Sequence, residues 1–206
     1  MIGHKLEEIT ITDTIQQAVN AHNVPGGWDV KEKCVHDFKE EIKTKLLQNQ
    51  GGKCAYCGLP LSDRNPEIDH IAPKGGKVRI LHPECTFLPI NLVYACHHCN
   101  SPSCKGQKNT VTSKNGDYRQ WSFKLVHPYL DDPTEFFETS PLGSIMSLPK
   151  KEFSHNDPKW KKAKYTIDMF GLAEESTLNE LAKQIYRERN PDQINAIINE
   201  ISTYRP

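Results

Sequence analysis

The sequence predicts an α+β fold, in which a small cysteine-rich core lies between an N-terminal helix and a C-terminal helical region. Two Cys-x2-Cys knuckles, Cys54/Cys57 and Cys96/Cys99, mark the core, and short apolar strand patterns lie between them. Helical periodicity dominates on both sides of this stretch. We therefore divide the 206 residues into three parts. Residues 1–50 are an arm and an amphipathic helix, 51–125 the core, and 126–206 a mixed, then helical region that packs on the core or on a partner.

The N-terminal part contains one clear helix. A weak apolar pattern before Pro25 favours a short strand or arm followed by a helical stretch. From Trp28 to Gln50 the apolar residues recur at the spacing of one helical face, which Gly51-Gly52 ends. Cys34 and His36 lie on this helix, and we interpret them as a packed thiol and a surface imidazole rather than metal ligands. The apolar face consists of Val35, Phe38, Ile42 and Leu46.

The core should form two short strands and the start of a helix. Residues 68–71 suit a strand that Ala72-Pro73 closes, and residues 91–95 suit a second strand. Cys96 to Asn100 then turns into a helix. Adjacent side chains on a regular strand point to opposite faces, so Asp69 and His70 can share one site only if the first strand ends or bulges there.

Two knuckles at matched spacing are typical of a structural Zn²⁺ held by four thiolates. We expect Cys54, Cys57, Cys96 and Cys99 to hold it, which brings Asp69-His70 against Asn91 and Asn100. His97 and His98 are then left exposed or facing the substrate. A second metal site from His82, Cys85 and Cys104 is disfavoured against free thiols and a solvent-facing imidazole.

The C-terminal region should begin with strands and end with three helices. A strand pattern covers residues 121–125, and short strands are expected within 134–154. One helix opens at Asp157-Pro158 and closes at Gly171, a second is capped by Ser176-Thr177 with Glu180, and a third opens at Asn190-Pro191. The last two helices either dock on a partner or cover the protein's own core. Their apolar faces are Leu178/Leu181/Ile185 and Ile194/Ile197/Ile198/Ile201.

Charge is balanced over the whole chain but not locally. The formal net charge is zero. Residues 69–119 carry seven Lys or Arg against three Asp or Glu, whereas residues 131–157 carry six acidic side chains against two lysines. The first segment suits contact with nucleic acid. No apolar run reaches signal-peptide length or the ~20 residues of a membrane span. We therefore expect a cytoplasmic protein without a membrane partner, whose cysteines are ligands and free thiols rather than disulfides.

Asp69-His70, Asn91-Leu92 and Cys99-Asn100, flanked by the four cysteines, resemble the His-Asn-His (HNH) endonucleases of the ββα-metal fold, in the form whose third position is Asn. The resemblance covers Cys54 to about Lys108. It implies an endonuclease that hydrolyses phosphodiester bonds in nucleic acid, with DNA favoured and RNA possible. It further implies that residues 51–125 are a ββα-metal nuclease core that a structural zinc ion holds together.

The resemblance also assigns roles to single residues. Asp69 and Asn100 would hold a catalytic Mg²⁺ or Mn²⁺, and His70 would be the general base. Asn91 matches the middle family residue, which braces the loop that carries the histidine. The family's lysine shortly after Asn100 is displaced here, because Ser101 to Cys104 intervene before Lys105. Phosphate contacts are expected from Lys74, Lys105 and Lys108.

A weaker likeness concerns residues 127–133 and the helices after Asp157. These resemble the HNH subunit of Septu-type and retron-associated anti-phage defence systems, which implies an ABC/SMC-like ATPase partner and an antiviral role. The competing interpretation is a zinc-stabilised nucleic-acid or protein adaptor whose nuclease site is vestigial. A zinc deaminase is excluded, because no proline precedes Cys96 and the Cys54/Cys57 knuckle would have no role.

Overall fold

The computed structural model describes residues 4–62, 64–76, 79–139 and 145–203, and it confirms the predicted α+β class. The helices are α1 (Asp13–Asn20), α2 (Lys33–Asn49), α3 (His97–Asn100), α4 (Pro158–Phe170), α5 (Glu175–Arg189) and α6 (Pro191–Thr203). The strands are β1 (Glu67–His70), β2 (Leu92–Ala95), β3 (Val111–Ser113), β4 (Ser122–Phe123), β5 (Phe137–Thr139) and β6 (Ile145–Pro149). The strands form three antiparallel pairs, β1 with β2, β3 with β4 and β5 with β6.

The hairpin of β1 and β2 is the centre of the molecule. Its register pairs Asp69 with Val93 and His70 with Leu92. The side-chain amide of Gln50, at the end of α2, extends the pairing, because it donates to Tyr94 O at 2.7 Å and accepts from Tyr94 N at 2.7 Å. A side chain thus takes the place of a third strand and holds α2 on the hairpin. α3 follows β2 and packs against β1, which completes a ββα unit.

α2 and α4 bury the apolar faces that the sequence predicts for them. The four apolar residues of α2 are fully buried, as are Ala163 and Phe170 of α4. Asp157 caps α4 by accepting from Lys159 N at 2.7 Å, and Gly171 ends the helix at a φ of 60°. Both predicted boundaries of α4 are therefore confirmed.

Several predicted boundaries are wrong. The helix expected from Trp28 begins as a 3-10 turn at Gly27–Asp29, and α2 starts at Lys33. The strand expected over residues 121–125 is reduced to the two residues of β4. α5 starts at Glu175, and its N-cap Glu174 makes no side-chain cap bond, so the capping box at Ser176-Thr177 does not form.

Some expectations fall outside the described structure. These are Lys77 of the basic segment, residues 140–144 of the strand region, and the side chains of Leu181, Ile185 and Ile201. Within the described residues, no helix is long and apolar enough to span a membrane.

Candidate active site

The four predicted zinc ligands meet in a buried cluster. The sulfur atoms of Cys54, Cys57, Cys96 and Cys99 all lie within 4.8 Å of one another. The Cys57 and Cys96 sulfurs are 3.9 Å apart, close to the ~3.8 Å that a tetrahedron with Zn–S bonds of about 2.3 Å requires. Gly58, at a φ of 74°, closes the first knuckle by donating to Cys54 O at 2.9 Å. The thiol set therefore fits one Zn²⁺.

The two histidines of the second knuckle make other contacts. The exposed ring of His97 lies 3.2 Å from Glu67 Oε1, through Nδ1. The ring of His98 lies 3.4 Å from the Cys104 sulfur, through Nε2. Neither contact involves the four clustered sulfurs, so the zinc site needs no imidazole.

Asp69, His70 and Asn100 line a single cleft of about 510 Å³. Asp69 and His70 occupy the last two positions of β1, and the strand ends at His70. This ending lets two neighbouring side chains reach the same space although a continuing strand would separate them. Trp28 and Lys74 line the same cleft from outside the hairpin.

His70 is held as a neutral imidazole with a defined proton position. Its Nε2 lies 3.0 Å from Thr86 O, and a carbonyl can only accept, so Nε2 carries the hydrogen. Nδ1 is then the unprotonated nitrogen. Burial, together with the positive charges of Lys74, Lys105 and Lys39, lowers the pKa of His70 to about 3. The Trp28 ring packs edge-on against the imidazole, with ring centroids 4.7 Å apart.

Asp69 is buried and bonded to two side chains. Tyr56 donates from its hydroxyl to Oδ2 at 2.5 Å, and the Lys105 ammonium lies 3.0 Å from Oδ1 and 2.9 Å from Oδ2. The Tyr56 ring stacks on Phe170 of α4 at a centroid distance of 4.2 Å. The C-terminal region thus helps to orient the carboxylate through Tyr56.

The structure contradicts the prediction that Lys105 contacts phosphate. Its side chain is fully buried, and its ammonium also donates to His70 O at 2.6 Å. The turn after α3 folds back so that Lys105 N donates to Cys99 O at 3.2 Å, which directs the side chain inward to Asp69. Of the other two lysines, Lys74 is half-buried at the cleft and Lys108 is exposed.

Asn100 can offer an oxygen to the cleft. Its amide nitrogen donates to Glu67 Oε2 at 2.6 Å, and within the described residues its amide oxygen accepts no hydrogen bond. Glu67 lies two positions before Asp69 and therefore on the same face of β1. A carboxylate and an amide oxygen are the hard donors that Mg²⁺ prefers, so Asp69 and Asn100 fit such an ion.

Asn91 is a brace rather than a group that faces the cleft. It is fully buried, and its amide oxygen accepts from Ala72 N and from the Tyr118 hydroxyl, both at 2.7 Å. Its amide nitrogen donates to Ala72 O at 3.1 Å and to Cys85 O at 2.9 Å. Every hydrogen-bonding position of the side chain is occupied, so Asn91 holds the segment after His70 in place.

Four residues at the site were not singled out from the sequence: Trp28, Tyr56, Glu67 and Tyr118. Glu67 carried a signal, because alternation on a strand places it beside Asp69. The other three reach the site from other positions in the chain, and no local sequence pattern predicts that they contribute to it.

Comparisons with known proteins find similarity to two proteins named as endonucleases and to one protein whose name states no activity. The chain is 43% identical over 54 residues to the CRISPR-associated endonuclease Cas9 of Corynebacterium diphtheriae, a match to 26% of this chain and 4% of that protein. It is 34% identical over 103 residues to Protein ea31 of Escherichia phage lambda, covering 50% of this chain and 29% of the relative. It is 26% identical over 161 residues to the Retron Vc95 putative HNH endonuclease of Vibrio cholerae, covering 77% and 71%.

These matches confirm the predicted resemblance to HNH endonucleases. No protein-family model matches the chain. The chain spans less than a third of the first two relatives, so their whole activities do not transfer to it. The Septu association stays a prediction.

Proposed function

We propose that this protein is a metal-dependent HNH endonuclease that hydrolyses phosphodiester bonds, with DNA as the favoured substrate. One observation carries the proposal: a neutral His70, whose Nε2–H is engaged by Thr86 O, lines one cleft with Asp69 and Asn100. The proton on Nε2 leaves Nδ1 as the atom that accepts a proton from water. Asp69 and Asn100 would hold a Mg²⁺ or Mn²⁺, which would supply charge neutralisation at the phosphate and at the leaving oxygen.

The surroundings of His70 suit a base that stays neutral. Burial and nearby lysines lower the pKa of His70 to about 3, so the imidazole is unprotonated across the physiological range. An approaching phosphate brings negative charge and raises this pKa, which makes the nitrogen a better proton acceptor when substrate is present. Trp28 limits ring rotation, and Asn91 fixes the backbone that follows.

Lys74 and Lys108 are proposed to contact the nucleic-acid backbone. Lys74 lines the cleft with a quarter of its side chain exposed, 3.9 Å from Asp29 Oδ2. Lys108 is exposed, and its ammonium donates to Ser103 O at 3.1 Å. Both can exchange these weak surface contacts for phosphate at little cost.

The test is cleavage by the full chain with His70 replaced by alanine. DNA and RNA substrates are incubated with Mg²⁺ or Mn²⁺, and with a chelator as the blank. We expect His70→Ala to lose at least about a hundredfold in rate, because the general base is removed, while zinc content and DNA binding persist. His36→Ala, an exposed histidine on α2, is the matched control and should cleave normally. Undiminished cleavage by His70→Ala would place the base elsewhere.

A zinc-stabilised adaptor is the second candidate, and one observation favours it. The Lys105 ammonium already neutralises Asp69 inside the protein, so the buried carboxylate needs no metal for charge balance. An adaptor would bind nucleic acid or protein, contain zinc, and show no cleavage with Mg²⁺ or Mn²⁺. The wild-type reaction in the same assay therefore separates the two functions.

We further propose a role in anti-phage defence together with an ABC/SMC-like ATPase. The similarity to a retron-associated relative supports the context. Support for docking comes from α5 and α6, whose Leu178, Ile197 and Ile198 are 44%, 50% and 55% exposed. A chain truncated after Gly171 should keep basal cleavage and lose capture of an ABC/SMC-like ATPase co-expressed with it. Full-strength capture by a folded truncated chain would exclude these helices as the docking surface.

A further inference from the structure

A second group of metal-ligating side chains lies in the segment that joins α1 to α2. His22, Glu32 and Cys34 place an imidazole nitrogen, a carboxylate oxygen and a sulfur within 4.8 Å of one another. His22 Nε2 is 3.2 Å from Glu32 Oε2. The sequence suggested His36 as the histidine nearest to Cys34, but His36 is exposed and its ring faces Asp37 at 3.8 Å.

The distances and the donor set suit zinc. Nitrogen and oxygen ligands at about 2.0–2.1 Å from a tetrahedral Zn²⁺ lie roughly 3.3 Å apart, close to the separation of His22 and Glu32. Zinc accepts imidazole, carboxylate and thiolate together, whereas Mg²⁺ does not favour a thiolate. Glu32 is 62% exposed, so a metal ion can enter from solvent and keep a water molecule as its fourth ligand.

The backbone around these ligands brings them close together without the metal. Glu32 caps α2 with its carbonyl, which accepts from Val35 N and His36 N, both at 3.1 Å, while its side chain makes no cap bond. His22 O lies against Gly27, where an added Cβ would come within 1.8 Å of it. Only glycine permits this approach, and the tight turn leaves the His22 ring beside Glu32.

The loop between these ligands also reaches the cleft. It carries Trp28, whose ring packs on the imidazole of His70. It also carries Asn23, whose amide oxygen accepts from Phe87 N at 3.0 Å, next to the Thr86 carbonyl that binds His70. A tighter loop would therefore restrain both the Trp28 ring and the Thr86 carbonyl, which together orient the imidazole of His70.

We propose that His22, Glu32 and Cys34 bind a second Zn²⁺, which clamps residues 22–34 and thereby holds the segment that positions His70. Binding at this site is independent of the proposed nuclease function. Only the consequence for His70 rests on that function, and the two parts are therefore measured separately.

The binding test uses the full chain without nucleic acid. Zinc-loaded protein is dialysed, titrated with Co²⁺, and followed by the d–d absorption of tetrahedral Co²⁺, which does not require a thiolate ligand. We expect one further equivalent to bind to the wild type and to the control His36→Gln. Cys34→Ser and His22→Gln should bind it at least about tenfold more weakly, since each removes a direct ligand. Absence of a further equivalent in the wild type, or equal binding by Cys34→Ser, overturns the site.

The clamp is tested by hydrogen exchange with and without the added metal. Amides of residues 22–34 should exchange more slowly in the metal-bound wild type, and this protection should be absent in Cys34→Ser. Equal exchange in both proteins overturns the clamp while leaving the binding result intact. Neither readout uses cleavage, so a protein that fails to cut DNA still tests both statements.

Discussion

Replacing Lys105 by methionine tests the charge balance at the centre of the site. The substitution keeps most of the side-chain volume and removes the ammonium that lies 3.0 Å and 2.9 Å from the two Asp69 oxygens. These side chains are 0% and 6% exposed, so the carboxylate loses its charge partner in a largely buried position. Among the described residues, Asp69 then keeps only the Tyr56 hydroxyl as a hydrogen-bond donor, and His70 O loses the Lys105 ammonium.

The expected cost follows from this burial. Removing one partner of a buried ion pair costs about 3–5 kcal/mol. The remaining Tyr56 bond favours the lower end, so we expect the free energy of unfolding to fall by roughly 3 kcal/mol. For a chain of this length that corresponds to a loss of about 6–12 °C in Tm. Adding Asp69→Asn should recover most of the loss, because the unpaired charge disappears as well.

Thermal unfolding with and without Mn²⁺ is the assay. Lys105→Met should gain more stability from Mn²⁺ than the wild type does, because a divalent ion replaces the missing charge beside Asp69. Lys108→Met, an exposed lysine three positions away, is the control and should change Tm little. A Lys105→Met protein with wild-type stability, or one indifferent to Asp69→Asn, would refute the importance of this ion pair.

Three further outcomes are expected. Cys54→Ser should lose zinc and yield insoluble or molten protein, because on the order of 10 kcal/mol of folding free energy depends on the metal; a soluble variant with a cooperative melt would contradict this. The pKa of His70 is about 3 when folded, below the ordinary value of 6.5. Its contribution to stability is therefore complete above about pH 6.5 and is lost as the pH falls towards 3, by up to about 1.4 kcal/mol for each pH unit. Urea unfolding at pH 4 to 7 should show this slope in the wild type, and His70→Gln should remove that part of it. Among the described residues, Asn91→Ala leaves Ala72 N and Ala72 O without partners in the interior, so we expect a loss of about 3 kcal/mol or more by urea unfolding; a loss below 1 kcal/mol would show that the brace is dispensable.

Local sequence patterns correctly predicted the features that depend only on residues close together in the chain. The apolar face of α2 and both ends of α4 followed from residue spacing, Asp157 and Gly171. The same reasoning failed at α5, where Ser176 and Thr177 offer a cap but the helix already begins at Glu175. Capping free energies are only about 1 kcal/mol, so a capping signal alone does not fix where a helix begins.

The sequence likewise determined some features of the candidate site and left others undetermined. Because the paired knuckles bring two segments together, the sequence alone determined that four sulfurs meet and that Asp69, His70 and Asn100 lie near one another. Spacing could not determine the direction of a long side chain. Lys105 was predicted to contact phosphate, yet it turns inward, because a buried Asp69 requires a cation more strongly than the surface does.

Only the tertiary structure decided which distant residues complete the site. Trp28 and Thr86 set the orientation of His70 from positions 42 residues before it and 16 residues after it. His22 meets Cys34 because Gly27 allows a turn too tight for any residue with a side chain. These contacts depend on packing between segments that are far apart along the chain, and packing is a property of the whole fold that no local spacing encodes.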